Sequence, residues 1–246
     1  MPALVFDKDG ERLYETGVKH CVLYKRSSTG TYPTGVAWNG ITGISESPSG
    51  AEANPIWADD MKYLNLISRE EFGASVTAYT YPDAFAECDG SAELTTGMTI
   101  GQQPRSTFGL CYRTVVGNDL SGDAYGYKLH IIYGATATPS EKAYATMNDS
   151  PEAIEFSWEL STVPVTLSDG KQTANVVIDS TKFTTETQKA NLKALLDVLY
   201  GTDASTEAGT TDTVARLPLP DEIKSILTGT TPEPEPEPEP EGPESP

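Results

Sequence analysis

The feature that most constrains the fold of this chain is a run of alternating residues at 152–165, EAIEFSWELSTVPV. There Ile154, Phe156, Trp158 and Leu160 alternate with Glu155, Ser157 and Glu159. Successive side chains of a strand point to opposite faces, so this spacing predicts a strand with one face on a core. Residues 74–81 alternate Val76 and Ala78 with polar neighbours. Residues 93–100, 107–116, 125–133 and 174–179 are rich in the β-branched and aromatic types that suit a pleated surface. ALVFD at 3–7 and RLYETGVKHCVLYK at 12–25 flank Asp9-Gly10, a tight-turn dipeptide. Residues 36–45 read as a strand bent near Asn39-Gly40.

Helical signals are few. At 186–200 the leucines 192, 195, 196 and 199 form one stripe, Thr185 and Gln188 fit a capping box, and Gly201 supplies a stop. A second, shorter helix is predicted at 221–227, after Pro218 and Pro220. Residues 46–55 are rich in Gly, Pro and Ala and read as a mobile loop, and periodicity leaves 63–71 open between helix and strand. The fold class expected is therefore mainly β.

The formal net charge is −19, of which six negative charges belong to a Pro-Glu tail at 231–246. That leaves −13 on the body. The densest cationic spot is Lys25-Arg26, too little for the several phosphate contacts of a nucleic-acid module. The tail has nothing to bury and is expected to be extended and disordered. Three widely spaced cysteines, Cys21, Cys88 and Cys111, argue for reduced thiols rather than a disulfide framework. The N-terminus does not read as a signal peptide, and no apolar run approaches membrane-spanning length.

Catalytic parts are scarce. The G-x-S-x-G, H-E-x-x-H, C-x-x-C and phosphate-loop patterns are absent from the sequence. His20 and His130 each fall within a predicted strand and read as hydrogen-bonded structural residues. Asp7-Lys8-Asp9-Gly10 reads as a turn, because a calcium loop would need later ligands. Asp59-Asp60 could meet a hard cation but more simply is solvated, and the Asn148 acceptor pattern has no role in a cytosolic protein. The expectation is a protein that is not an enzyme, with no cofactor and no metal.

The segment at 56–90 stands apart. It combines Trp57, Tyr63 and Phe72 with Asp59, Asp60 and a Tyr81-Pro82-Asp83 corner. Exposed aromatics flanked by charge point to a protein partner, the alternative being a connection packed on its own domain. WADDMKYLNLISREEFGASVTAYTYPDAFAECDG, then RSTFGLCYRT and GYKLHIIYGATATPSE, resembles the major tail (tail tube) protein of long-tailed, non-contractile phages and prophages of Gram-positive bacteria. The resemblance spans roughly residues 20–166 and fades beyond.

That resemblance implies a β-sandwich or flattened barrel with one flanking α-helix over residues 1–200. A linker with a short helix at 201–230 and the disordered tail would follow. It implies a structural virion protein, made in the host bacterial cytoplasm, whose hexameric rings stack into a tube conducting DNA to the host. Each copy would give strands to a shared barrel lining the lumen. The partners would be further copies of itself and the tape measure, tail terminator and distal tail proteins, with DNA in transient passage and no membrane. The loop at 46–71 would reach a neighbour, making Trp57, Asp59, Asp60, Tyr63, Leu64 and Leu66 candidate interface residues. The competing readings are a monomeric β-sandwich binding or decoration module, and another ring-forming part such as a tail terminator.

Overall fold

The computed structural model describes residues 4–146, 149, 153–204 and 211–230. The Pro-Glu tail, Asn148 and part of the linker after Gly201 lie outside the described residues.

The chain opens with β1 (Leu13–Lys25), β2 (Gly35–Trp38) and β3 (Ile41–Glu46). Four strands then form an arm: β4 (Ser49–Gly50), β5 (Ala53–Ala58), β6 (Met61–Ile67) and β7 (Glu70–Glu71). The chain returns through β8 (Gly73–Ala78), a short hairpin of β9 (Ala92–Thr95) and β10 (Met98–Ile100), and the long β11 (Phe108–Asn118) and β12 (Gly122–Ala137). It closes with β13 (Phe156–Thr162), the small pair β14 (Val165–Thr166) and β15 (Gln172–Thr173), β16 (Asn175–Asp179), α1 (Glu186–Tyr200) and α2 (Pro220–Thr228). The alternating run that predicted a strand supplies β13, with Trp158 and Leu160 buried. Of the strand expected at 3–7, the described residues 4–7 form none: Leu4, Val5 and Phe6 are exposed and paired with no described strand. Alternation alone does not make a strand when no neighbour offers a ladder.

One sheet runs β2-β1-β11-β12-β13-β8-β3, and β16 also pairs with β12. Beta13 and β16 share one edge of β12, taking Ala135–Ala137 and Lys128–Ile132 respectively, so the sheet forks there. Its two end strands, β2 and β3, are consecutive in the chain and separated only by Asn39-Gly40. The ends must therefore meet, and β3 does touch β1. The sheet curls into a flattened, sandwich-like barrel. Gly40 makes the bend at φ 79°, where a side chain would be strained.

Residues alternate between two cores. Cys21, Leu23, Leu110 and Tyr112 face the barrel interior with Trp38, Phe85, Phe108 and Trp158. Val22, Tyr24, Cys111, Leu129 and Ile131 face outward, where Leu192, Leu195 and Leu199 of α1 and Ile223 of α2 cover them. The second, shorter helix expected at 221–227 forms as α2; the sequence reading placed it in a linker, whereas it packs on α1 and joins the same core. The α1 capping box forms as predicted, Thr185 Oγ1 accepting from Gln188 N at 3.2 Å. Buried tyrosines tie the layers together. Tyr24 Oη donates to Leu199 O at 2.5 Å, and Tyr133 Oη to Pro218 O at 2.7 Å.

Candidate functional site

Residues 45–71 are exposed without exception. They are nevertheless folded. The β3–β8 ladder continues outward through Ser47 N to Gly73 O (2.8 Å), then β4 with β7, then β5 with β6. The sequence reading of 46–55 as a mobile loop is corrected: Ser49–Gly50 and Ala53–Ala58 are strands of one long hairpin arm. The open choice for 63–71 resolves to strand.

The tip explains the two aspartates. Asp59 and Asp60 are the only residues between β5 and β6, with φ 52° and 59°. Positive φ at both central positions is the type I′ turn, whose twist suits a two-residue hairpin. Aspartate tolerates that conformation because its short polar side chain can bond locally. The pair thus serves the turn, and nothing further is needed to place two carboxylates there.

Register sorts the apolar side chains. Ala58 pairs with Met61, Trp57 with Lys62, Ile56 with Leu64, and Asn54 with Leu66. The pairing slips between Ile56 and Trp57, leaving Tyr63 as a bulge. Paired residues share a face, so Ile56, Ala58, Met61, Leu64 and Leu66 lie on one side. Trp57, Lys62, Asn65 and Ile67 lie on the other. Four of the sequence-derived candidates, Trp57, Tyr63, Leu64 and Leu66, thus sit on the strands of the arm, with Trp57 65% and Tyr63 69% exposed. Ile56, Met61 and Ile67 complete the surface and are missing from the sequence-derived set, because only the register shows which face they share.

The aromatic content of 56–90 divides at the arm's root. Phe72 and Tyr81 pack against the barrel core. Tyr81 meets Phe156 and Trp158 edge-to-face at 5.5 Å each. The corner is pinned by buried Asp89, which accepts from Trp158 Nε1 at 3.1 Å and from Lys142, with Arg105 3.7 Å away. The reading of this whole segment as partner-facing therefore holds its geometry only for the arm.

The root is a polar cluster at the mouth of the barrel. Glu46, the last residue of β3, accepts from Tyr112 Oη at 2.7 Å and lies 3.2 Å from His130 Nδ1. His130 stacks flat on Tyr112, centroids 4.8 Å apart. Thr114 Oγ1 lies 3.1 Å from His130 Nε2 and donates to Glu15 at 2.5 Å, while Lys128 also bonds Glu15. Burial raises the Glu15 carboxyl, but Lys128 and Thr114 outweigh it and hold the group below its ordinary value. Burial, with the bond to Glu46, pushes the Tyr112 phenol far up.

All three cysteines are free and buried, and burial raises the Cys88 and Cys111 thiols to about 12. Among the described residues, no group of three or more His, Cys, Asp or Glu is arranged to hold a metal ion. No described helix is long and apolar enough to cross a membrane.

No protein-family model matches the sequence, and no curated protein does. Among solved structures, the chain is similar to one from the cryo-EM structure of the anti-feeding prophage baseplate, six-fold symmetrised. The identity is 10%, the TM-score 0.35, and the match covers 71% of this chain and 97% of that one.

Proposed function

We propose that this chain is a structural protein of a phage tail whose copies assemble into stacked hexameric rings, forming the tube through which DNA passes. The observation that carries the reading is the arm: an ordered hairpin with apolar side chains on both faces and no cover from its own domain. A surface of this kind is expensive in water and characteristic of a protein interface. The sequence resemblance to tail tube proteins spans the arm and the long strands behind it. It supplies the kind of partner, further copies of the same chain.

The role is mechanical rather than catalytic, with the virion as its place. The strongly acidic body suits a wall that a polyanion passes without adhering. The arm of one copy lies on the next, and other tail proteins close the two ends of the tube.

Negative-stain electron microscopy of the concentrated protein, in low and in high salt, tests this. Hollow tubes of uniform width with an axial repeat are the expected result. Single rings that never stack would replace the tube by a terminator-like part. Monodisperse single particles at every concentration and salt would overturn self-assembly.

A further inference from the structure

The cluster at the arm's root contains more acceptors than a singly protonated histidine can serve. Nδ1 of His130 faces a carboxylate oxygen of Glu46, 3.2 Å away. Nε2 faces Thr114 Oγ1 at 3.1 Å and Glu15 Oε1 at 3.5 Å. Thr114 has one hydroxyl proton and gives it to Glu15, so toward the ring its oxygen can only accept. Both contacts are hydrogen bonds only when both ring nitrogens carry protons. A ring with one proton keeps one contact and loses the other.

We propose that His130 is a proton-operated latch on the arm: doubly protonated, it ties Glu46 on one side to Thr114 on the other, and singly protonated, it loses one of these ties together with its charge, so its hold on Glu46 weakens and the root loosens. The position favours this role. Glu46 is where β3 leaves the barrel, and every residue beyond it as far as Glu71 is exposed. The root is therefore the place where the barrel can set the arm's direction.

The groups around the ring are few. Glu15 approaches from β1 and Glu46 from β3, Tyr112 and Thr114 come from β11, and Lys128 is on the ring's own strand. On β16, Val177 stands opposite His130 and Asp179 opposite Lys128, with Asp179 capping Thr181. Two carboxylates thus face the ring, and Lys128 is itself paired with Glu15. The Tyr112 ring, parallel to the imidazole within 5°, fixes its plane, so a lost bond is not recovered by rotation about that stack.

The consequence for assembly rests on the proposed ring-building role of the arm, whereas the latch acts within one chain and is measured there. The test is hydrogen exchange on monomeric protein, with arm amides at 47–71 expressed as protection factors so that intrinsic pH effects cancel. Measurements at about pH 5.5 and about pH 8 bracket the range in which histidine side chains change charge. Arm protection is expected to be about fivefold lower at the higher pH, the size of one ordinary hydrogen bond's net contribution. Protection in β11 and β12 should not change. His130→Gln should give arm protection that is the same at both pH values. Wild-type protection that does not change with pH overturns the latch. So does an equal change in His130→Gln, which would assign the response to His20 or a carboxylate. If His130→Gln fails to fold, Glu46→Gln replaces it, with low arm protection at both pH values expected and a wild-type response overturning the proposal.

Discussion

Trp57→Ala separates the arm's role in assembly from any role in the fold. Trp57 is 65% exposed, and no residue from 45 to 71 is buried. Removing the indole should change the stability of the body by less than about 0.5 kcal/mol, as for surface sites generally. Its effect on association should be much larger. An aromatic side chain buries on the order of 200 Å² when fully covered. The exposed part of this one is then roughly 130 Å², worth about 3 kcal/mol at ~25 cal/mol per Å². Imperfect fit and ordering of the arm reduce this, leaving roughly 2 kcal/mol per contact, or about thirtyfold in affinity. Each closed ring repeats the contact six times under the proposed symmetry, so the concentration needed for assembly should rise steeply. The assay pairs a thermal melt with sedimentation of assembled material across a concentration series. An unchanged melt with strongly impaired assembly is expected. Assembly at the wild-type concentration would refute the interface argument, and a large drop in melting temperature would refute the claim that the indole is outside the core.

Three further outcomes follow from the geometry. Asp60→Gly removes a non-glycine residue from φ 59° and should strengthen the arm, raising its amide protection severalfold while leaving the body's melt unchanged; weaker protection would contradict the type I′ assignment. Thr185→Ala deletes the hydroxyl that receives Gln188 N and should cost about 1 kcal/mol by denaturant melt, whereas Thr185→Ser should restore most of it. With a formal charge of −19 per copy, assembly should be faster or more complete at high ionic strength, read by light scattering; equal or better assembly in low salt would remove self-repulsion as the brake.

The parts legible in the sequence are those whose signals are local. The α1 boundaries follow from Thr185, the leucine stripe and Gly201, all within one segment, and the helix forms at the expected bounds. β13 announces itself because Trp158 and Leu160 need a core and Ser157 and Glu159 do not. The strand expected at 3–7 fails because a strand is a property of two segments, and nothing pairs with Leu4, Val5 and Phe6. The arm was hidden for related reasons. Its turn uses Asp59-Asp60 instead of the glycine-bearing dipeptides that mark hairpins, and Pro55 interrupts β5. Proline is tolerated there because the arm has only two strands, so an N–H on its open side has no ladder to serve. Which side chains share a face could not be read at all. The bulge at Tyr63 shifts the alternation by one residue, and period-two counting across it assigns the wrong faces.

An exposed hairpin with this much apolar surface is also an invitation to uncontrolled pairing, and the distribution of charge answers it. Between Ala53 and Ile67, outside the turn, Lys62 is the only charged residue. The acids stand at the two ends: Asp59 and Asp60 at the tip, and Glu52, Glu70 and Glu71 near the root, with Arg69 among them. Two arms laid side by side in antiparallel fashion would bring each acidic tip against an acidic root. Two arms side by side in parallel would oppose tip to tip and root to root. Both arrangements place like charges together, while an arm on the body of another copy need not. The charge at the ends thus disfavours arm-to-arm aggregation and, under the proposed assembly, leaves arm-to-body contact as the route by which the apolar middle would be covered. Replacing the end acids Asp59, Glu70 and Glu71 by their amides should therefore increase amorphous aggregation relative to ordered assembly, measured as turbidity against tube count. An unchanged ratio would mean that the backbone twist and the Tyr63 bulge, rather than charge, keep the arms apart.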